Sequence, residues 1–405
     1  MKLFAAVFFA CVFFARAGAC AQTPAGLWDA TLRVEDRQVA FRLDVQAAGP
    51  GWKAAILDGG QRIESTSGTL SGNQLALRWD YFDAELTAAL EGGGMKGAYS
   101  RRTRAGVVTR AFTARPFRPS PAEQPAGAAS VAGMWRIQTG AARGAQVMDG
   151  IFRQAGTEVS GTIQRVDGDF GTLTGRMEGK RLTLSHFDGI RATLIEGELK
   201  PDGTLAGTMD GQTRFTAARL DEAAKLGLPE PPDPARYVAV KNPAEPLRFR
   251  FQDLDGQWVS AEDPAFRGKA MIVTIMGSWC PNCHDEAEFL AEMDRRYRAE
   301  GLEIVALGFE YTGEVGRDRA QLRAFARRHK TGYRVLLAGT TEEGSVLRAL
   351  PQLANFAGYP ATLYLDRDHR VRAVHAGFAG PANPREHQKL KAELDHLVRE
   401  LLRNR

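Results

Sequence analysis

The segment SWCPNC, residues 278–283, decides how the last part of this chain is interpreted. Its two cysteines stand two residues apart, directly after the apolar run AMIVTIMG (270–277). Such a run is typical of a buried strand, and Pro281 is well suited to a first helical turn. We therefore expect Cys280 at a helix N-terminus, where the macrodipole and free N–H groups stabilise a thiolate. Cys283, nearly one turn further on, is placed to resolve a mixed disulfide.

The first 21 residues have the features of a secretory signal peptide. Lys2 supplies a positive start, residues 3–15 are apolar, and small residues precede an expected cleavage near Gln22. Lipoprotein processing at Cys20 is the alternative, and it would leave a lipid anchor. Both readings predict an extracytoplasmic protein, in the periplasm or attached to a membrane at its N-terminus.

The cysteine count limits the roles of the CPNC pair. The chain has four cysteines: Cys11, Cys20, Cys280 and Cys283. Because two lie in the predicted signal peptide, the exported chain is expected to keep only Cys280 and Cys283, in an oxidising compartment. A disulfide scaffold needs more pairs than this.

Length and charge bound the function class. A chain of 405 residues is long for one core and predicts two or three domains. Removing Lys2 and Arg16 with the signal peptide lowers the net charge from +5 to about +3. Basic and acidic residues are mixed along the chain, so nucleic-acid binding is not expected. No later segment has 18 uninterrupted apolar residues, so the mature chain should be soluble or tethered only at its start.

A sequence repeat with an offset of about 105 residues precedes the cysteines. AGLWDATL (25–32) resembles AGMWRIQT (132–139), and each copy has short alternating stretches broken by turn residues. This pattern predicts two antiparallel β modules, each a small barrel or sandwich. The matched positions are Trp28 with Trp135, Gly68-Thr69-Leu70 with Gly171-Thr172-Leu173, and Phe82-Asp83 with Phe187-Asp188. We expect the aromatic residues to be core and the two aspartates to be turn or surface acids.

After the repeats the pattern changes to strands alternating with helices. An amphipathic helix is expected over 281–301, a strand over 302–310 and a terminal helix over 385–403. This alternation predicts an α/β domain with a mixed sheet. The predicted division is a signal peptide 1–21, β module 22–117, Pro/Ala linker 118–130, β module 131–220, linker 221–246 and α/β domain 247–405.

Several segments of the last domain resemble one family. SWCPNC, the helix after it and GYPATLYLDRDHRV (358–371) resemble the TlpA/ResA-type thioredoxin-like thiol–disulfide reductases. The segment that leads to the cysteines (251–280) looks like that of the wider AhpC/TSA redoxin grouping. The resemblance covers about 247–400. It implies a thioredoxin fold with Cys280 as the nucleophile and Cys283 as the resolving thiol.

The resemblance also assigns the residues around the cysteines. It implies a cis peptide at Tyr359–Pro360, in a loop that faces the cysteines and binds the partner's extended chain. The family's buried acid corresponds to Glu286, a candidate proton carrier for Cys283. Thioredoxin's strand aspartate corresponds to Thr274, so that relay is not expected. The residues expected to bind substrate are Trp279, Pro281, Tyr359 and Pro360.

Other roles for the cysteine pair stay open. Half a zinc site is disfavoured because no second cysteine pair exists. A copper-delivery protein of thioredoxin fold would add a distal histidine such as His375, although its cysteines are usually further apart. No metal or cofactor is therefore predicted. A peroxiredoxin-type peroxidase has Pro at the position of Val273 and Thr or Ser at the position of Gly277. This chain has neither, so a peroxidase is the less favoured alternative.

The partners follow from the expected chemistry. We expect disulfide-containing protein substrates and an upstream membrane thiol donor that reduces the oxidised pair again. The repeats carry no catalytic constellation. A second class of hypothesis is therefore a client- or ligand-binding β protein with an accessory thioredoxin domain.

Overall fold

The computed structural model describes residues 23–119, 129–140, 145–233 and 237–403. The predicted signal peptide, Cys11, Cys20 and most of the 118–130 linker lie outside the described residues. Two antiparallel β modules precede a mixed α/β domain. Within these described ranges, no helix combines the length and apolarity needed to cross a membrane.

The first module is one curled sheet of nine strands, in the spatial order β4-β3-β2-β1-β9-β8-β7-β6-β5. Alternating residues of β2, such as Phe41 and Leu43, are buried in its interior. The curl brings β3 against β5, where a Cβ on Gly68 would lie 2.6 Å from the carbonyl oxygen of Trp52. The strands are β1 (Gly26–Val34), β2 (Arg37–Ala48), β3 (Gly51–Asp58), β4 (Gln61–Glu64), β5 (Ser67–Ser71), β6 (Gln74–Trp79), β7 (Ala84–Glu91), β8 (Gly94–Thr103) and β9 (Gly106–Pro116).

The second module closes into an eight-stranded barrel, because its third strand pairs with both its second and its fifth strand and so joins the two ends of the sheet. A short ninth strand, β13, extends β12 as a hairpin at the rim. Its strands are β10 (Gly133–Thr139), β11 (Val147–Ala155), β12 (Glu158–Arg165), β13 (Gly168–Asp169), β14 (Leu173–Glu178), β15 (Arg181–Phe187), β16 (Ala192–Leu199), β17 (Leu205–Met209) and β18 (Thr213–Arg219). Of the two architectures expected for each module, this one is a barrel.

The predicted repeat is visible in matching details. Trp28 lies in β1 and Trp135 in β10, and each indole N–H donates to a carbonyl oxygen four residues earlier at 2.8 Å. Phe82 follows β6 and Phe187 ends β15, so both precede the next strand of their sheet. All four aromatic side chains are buried, as expected.

The α/β domain is built on a seven-stranded sheet in the order β21-β20-β24-β23-β22-β26-β27. Strands β22, β23 and β24 are parallel, whereas β26 runs antiparallel to β22, so the sheet is mixed as predicted. The elements are β19 (Val238–Val240), β20 (Arg250–Asp253), β21 (Trp258–Ser260), β22 (Ala270–Met276), α2 (Pro281–Tyr297), β23 (Leu302–Glu310), α3 (Val315–His329), β24 (Arg334–Thr340), α4 (Ser345–Ala349), β25 (Leu353–Phe356), β26 (Ala361–Leu365), β27 (Val371–Ala376) and α5 (Pro384–Arg403).

The predicted linker 221–246 is structured over much of its described length. It holds most of the short helix α1 (Leu220–Ala223) and strand β19, which pairs with β25. Val238 is fully buried in the core of the α/β domain. The α/β domain therefore begins before the predicted residue 247, because Val238 packs where the sequence pattern indicated a spacer.

The first module, the barrel and the α/β domain, together called the three bodies, share buried contacts. Phe187 of the barrel packs on Phe41 of the first module with ring centroids 4.6 Å apart. The hydroxyl of Tyr99 donates to the carbonyl oxygen of Gly189 at 2.6 Å. Ala324 of α3 belongs to the hydrophobic core of the first module. The modules are thereby held against the helices that carry the CPNC motif.

Candidate active site

The dithiol stands where a buried strand ends and a helix begins. Cys280 caps the N-terminus of α2, and its Sγ accepts the backbone N–H of Cys283 at 3.2 Å. Pro281 occupies the first helical turn, as its fixed φ favours. The two sulfurs form a disulfide with Cα atoms 5.2 Å apart. Cys280 is 5% exposed and Cys283 2%, so the first cysteine is the less buried of the two.

Glu286 is a buried carboxyl one helical turn after Cys283. Its two oxygens accept the hydroxyls of Thr274 at 2.7 Å and Thr362 at 2.6 Å. Burial raises its pKa to about 7, although both hydroxyl donors act in the opposite direction. The group can therefore gain or lose a proton near neutral pH. Thr274, which replaces the strand aspartate of thioredoxin, takes part as a donor to this carboxyl.

An aromatic cluster flanks the first cysteine. The indole N–H of Trp279 donates to the carbonyl oxygen of Phe309 at 2.8 Å. The Trp279 ring stacks on Tyr311 and meets Tyr359 edge-on, both with centroids 5.1 Å apart. The Tyr359–Pro360 peptide is cis, as the resemblance implies. The structure thus brings Trp279 and Tyr359 together; their predicted role in binding substrate stays a prediction.

Sequence analysis did not identify Glu310, a buried acid behind the active-site loop. Its carboxylate accepts the backbone N–H of Ser278 at 2.8 Å and the hydroxyl of Ser278 at 2.9 Å. Burial raises its pKa to about 7, opposed by these hydrogen bonds and by Arg317. A lone acid at the end of the apolar run LEIVALGFE was the available signal. Glu310 fixes the loop that leads into Cys280.

Two buried histidines form a second unpredicted feature. His284 Nε2 lies 2.8 Å from the carbonyl oxygen of Ser278, which can only accept, so this nitrogen carries the proton. His284 Nδ1 then accepts from His329 Nε2 at 2.6 Å. Burial lowers the pKa of His284 to about 4 and that of His329 also, so both rings are neutral at pH 7. Phe82 of the first module packs edge-on against the His284 ring.

Asn282, inside the CPNC motif, is held by the barrel. Its amide Nδ2 donates to the carbonyl oxygen of Asp167 at 2.7 Å, and its Oδ1 accepts from Arg191 at 3.0 Å. Asp188 accepts from Arg191 at 3.0 Å. A chain of hydrogen bonds therefore connects the middle of the dithiol motif to the interior of the second module.

Asp188 lies in the turn between β15 and β16, as one of the two predicted alternatives has it, but the other alternative, a surface acid, is wrong for this residue. Asp188 is buried, and its Oδ1 accepts the backbone N–H groups of Ile190 and Arg191. His186 approaches its Oδ2 at 3.2 Å. Three residues after Asp188, Arg191 supplies the countercharge that permits burial of this carboxylate. Asp83, its counterpart in the first module, is one-third exposed and pairs with Arg317 at 2.9 Å, so for this residue the expectation holds.

A cavity of about 270 Å³ lies where the three bodies meet, beside Pro281. Gln61 of the first module donates to Asp285 at 3.1 Å on one wall. Asp169 of the barrel also lines the cavity. Burial raises the pKa of Asp285 well above its usual range, and the neighbouring Asp169 raises it further. The two carboxyls lie on opposite sides of the interface between the barrel and α2.

No metal centre is formed by the described residues. Within them, no group of three or more His, Cys, Asp or Glu side chains could hold an ion. His375, the residue on which the copper hypothesis rests, lies in β27 opposite Thr362 of β26.

Comparison with known proteins supports the predicted resemblance. Residues 239–394 match the family model described as Redoxin. The match begins at β19, inside the predicted linker. The thiol-disulfide oxidoreductase ResA of Geobacillus thermodenitrificans is 24% identical over 139 residues, 34% of this chain and 71% of that protein. ResA of Bacillus cereus is 32% identical over 68 residues, 17% of this chain. The chain thus spans 38% of the length of the first curated relatives it matches.

Solved structures are similar over 40% of the chain. A thioredoxin family thiol:disulfide interchange protein from Chlorobium tepidum is 20% identical, with a TM-score of 0.31, over 40% of this chain and 99% of its own. A DsbF homologue from Corynebacterium diphtheriae is 20% identical, with a TM-score of 0.30, over 40% of this chain and 92% of its own.

Proposed function

We propose that this chain is an exported thiol–disulfide oxidoreductase that reduces disulfides of partner proteins through Cys280 and Cys283. The main supporting observation is that Cys280 is the N-cap of α2 and that the backbone N–H of Cys283 points at its sulfur. An N–H donor and the positive end of a helix stabilise a thiolate, the attacking species in disulfide exchange. The Redoxin match over this domain supports the same reading.

The proposed reaction has two exchange steps. The Cys280 thiolate attacks one sulfur of a substrate disulfide, forms a mixed disulfide and releases the other substrate sulfur as a thiolate, which takes a proton. Cys283 then loses its proton and attacks the Cys280 sulfur. This forms the Cys280–Cys283 disulfide and releases the second substrate thiolate. Two electrons pass to the substrate, and the protein ends in the oxidised form that the structure contains.

Glu286 is proposed as the proton acceptor for Cys283. A carboxyl with a pKa of about 7 is matched to a thiol that must ionise near neutral pH. Trp279, Pro281, Tyr359 and Pro360 are proposed to contact the substrate around the attacking sulfur. The oxidised pair must be reduced again, and a membrane thiol donor is proposed for this step. Export through residues 1–21, or anchoring at Cys20, belongs to the same proposal.

The test is a pair of cysteine variants assayed with a disulfide substrate. Cys283→Ser should accumulate a covalent mixed disulfide through Cys280, because the resolving thiol is absent. Cys280→Ser should form no such adduct and should lose reductase activity. A Cys280→Ser protein that retains its activity would overturn the proposal.

The direction of electron flow is set by the reduction potential of the pair, measured in defined thiol buffers with alkylation of free cysteines. We expect about −250 mV or lower, as for reductases of this chemistry. A potential of about −120 mV would indicate an oxidant instead. Peroxide consumption without any disulfide substrate would favour the peroxidase hypothesis.

A further inference from the structure

The two-residue turn Val166–Asp167, between β12 and β13 of the barrel, lies directly on the CPNC motif. Its Asp167 carbonyl oxygen accepts the Asn282 amide, and the next residue, Gly168, forms a parallel bridge with Phe378. A Cβ added to Gly168 would clash with Asn282 and lie 2.6 Å from the carbonyl oxygen of Phe378. There is therefore no room for a side chain at residue 168 between the turn and Asn282.

The same turn reaches the loop that holds the cis proline. A Cβ on Gly358, next to Tyr359, would lie 3.5 Å from the Cβ of Asp167. A Cβ on Gly377, which follows β27, would lie 2.5 Å from the carbonyl oxygen of Val166. The Val166–Asp167 turn thus touches three segments that surround the dithiol. It lies against the edge of the active site that Asn282, Gly358 and Gly377 form.

The first module borders the other side of the site. Tyr311, which stacks on Trp279, lies near Arg101 of β8, whose charge opposes the rise that burial causes in the pKa of Tyr311. Cys280 is only 5% exposed between these borders. A folded partner of ordinary interface size would have to cover about 800 Å² of this protein's surface around that sulfur. Both modules stand where such an interface would form.

We infer that the Val166–Asp167 turn determines substrate class: it admits a disulfide carried on an extended polypeptide segment and excludes one on a folded protein surface. This inference rests on the proposed reductase function. An extended segment needs only a strip of surface along Trp279 and Tyr359, whereas a folded surface collides with the turn. Arg191 acts as a positioning residue, because it holds the Asn282 amide against the turn.

The experiment compares two glycine variants in the full chain. Gly168→Ala should displace the turn, because the added methyl group clashes with Asn282. Gly106→Ala is the matched control: its φ of 113° is close to the 122° of Gly168, and a Cβ there meets nothing within 4 Å. The probes are native insulin, as the folded disulfide, and a disulfide-linked dimer of a short unstructured peptide. Single-turnover rates are measured with pre-reduced protein and alkylation.

Gly168→Ala is expected to raise the rate with insulin about tenfold. The reason is that the turn would lose about one buried hydrogen bond to the CPNC motif, which shifts the equilibrium between docked and displaced turn by about that factor. The rate with the peptide dimer should stay within about twofold, and Gly106→Ala should change neither rate. An unchanged insulin rate, or equal gains with both probes, would overturn the inference. If Gly168→Ala fails to fold, Asp167→Gly removes the Cβ near Gly358 and should act in the same direction. A wild-type protein that reduces neither probe would refute the proposed function itself.

Discussion

The two β modules have related sequences and the same order of hairpins, yet they act on the α/β domain in different ways. The Phe82-Asp83 pair of the first module docks against the second half of the fold: Phe82 packs on His284, and Asp83 pairs with Arg317. The equivalent Asp188 of the barrel points inward and holds the arginine that binds Asn282. Side-chain exposure separates the two aspartates, at 33% and 5%.

This difference shows how one duplicated unit supplies both an exposed docking contact and a buried ionic network. A carboxylate in water gains little from an ion pair, whereas a buried one depends on it. The barrel surrounds its aspartate with His186 and Arg191, while Asp83, in the connection between β6 and β7, stays one-third exposed. The predictions below test whether the energetic difference follows the exposure.

The largest effect is expected for Asp188→Asn. The substitution leaves Arg191 and His186 without their shared carboxylate and should lower the free energy of unfolding by about 3–5 kcal/mol. Chemical denaturation of the oxidised full chain, followed by circular dichroism, measures this change. A loss below about 1 kcal/mol would mean that the buried network is no stronger than a surface pair.

Glu286→Gln tests a group that belongs to neither module. We expect the step in which Cys283 resolves the mixed disulfide to slow about a hundredfold, the range for loss of a general base. In the wild type that step should accelerate as pH rises through about 7, because Glu286 then becomes ionised. The variant should lack this inflection. Glu288→Gln, on the exposed side of α2, is the control and should keep it.

Two buried histidines, one in the barrel and one in the α/β domain, should make the stability of these two parts depend on pH in opposite directions. Burial lowers the pKa of His186, but the carboxylates of Asp58 and Asp188 outweigh burial and raise it to about 10. The stability it contributes is complete below about pH 6.5 and is lost as pH rises towards 10. Burial lowers the pKa of His284 to about 4, so its contribution is complete above about pH 6.5 and is lost as pH falls towards 4.

Denaturation of His186→Gln and His284→Gln across pH 4 to 10 measures these two dependences. The first variant should flatten the alkaline side of the wild-type profile, and the second should flatten the acid side. Profiles altered on the same side would contradict the charge states assigned to the two rings.

The smallest effect is expected for Asp83→Asn. Its partly exposed pair with Arg317 should contribute less than about 1 kcal/mol, and the difference from wild type should shrink in high salt because exposed charges are screened. Denaturation in low and high salt measures it. A loss as large as that of Asp188→Asn would remove the distinction between the modules.

Local signals made much of the α/β domain predictable. The apolar run before Glu310 gave β23 at its observed bounds, and Pro281 placed the start of α2. The repeat identified two β units because Trp28 and Trp135 occupy equal positions. Barrel closure was not predictable, since it depends on the pairing of β12 with β14 and of β10 with β18, which are not consecutive strands. Strand β19 was missed because three residues carry too little pattern.

The environment of the site was harder to predict than its cysteines. The CPNC spacing carries its own chemistry, whereas the burial of Asp188 depends on Arg191 and on a neighbouring barrel wall. Sequence analysis assigned no role to Asn282, which stands between the cysteines. Its partner Asp167 lies 115 residues away in sequence, a separation that no local pattern reports.

The contact between Asn282 and the barrel links domain docking to redox state. One helical turn carries both sulfurs and the Asn282 amide that binds the barrel. If reduction of the disulfide changes how tightly the barrel binds this turn, the reduction potential of the Cys280/Cys283 pair must change by the same free energy. A tenfold difference in docking constant between the two states corresponds to about 30 mV. The barrel can thus tune the electron affinity of a dithiol to which it contributes no sulfur.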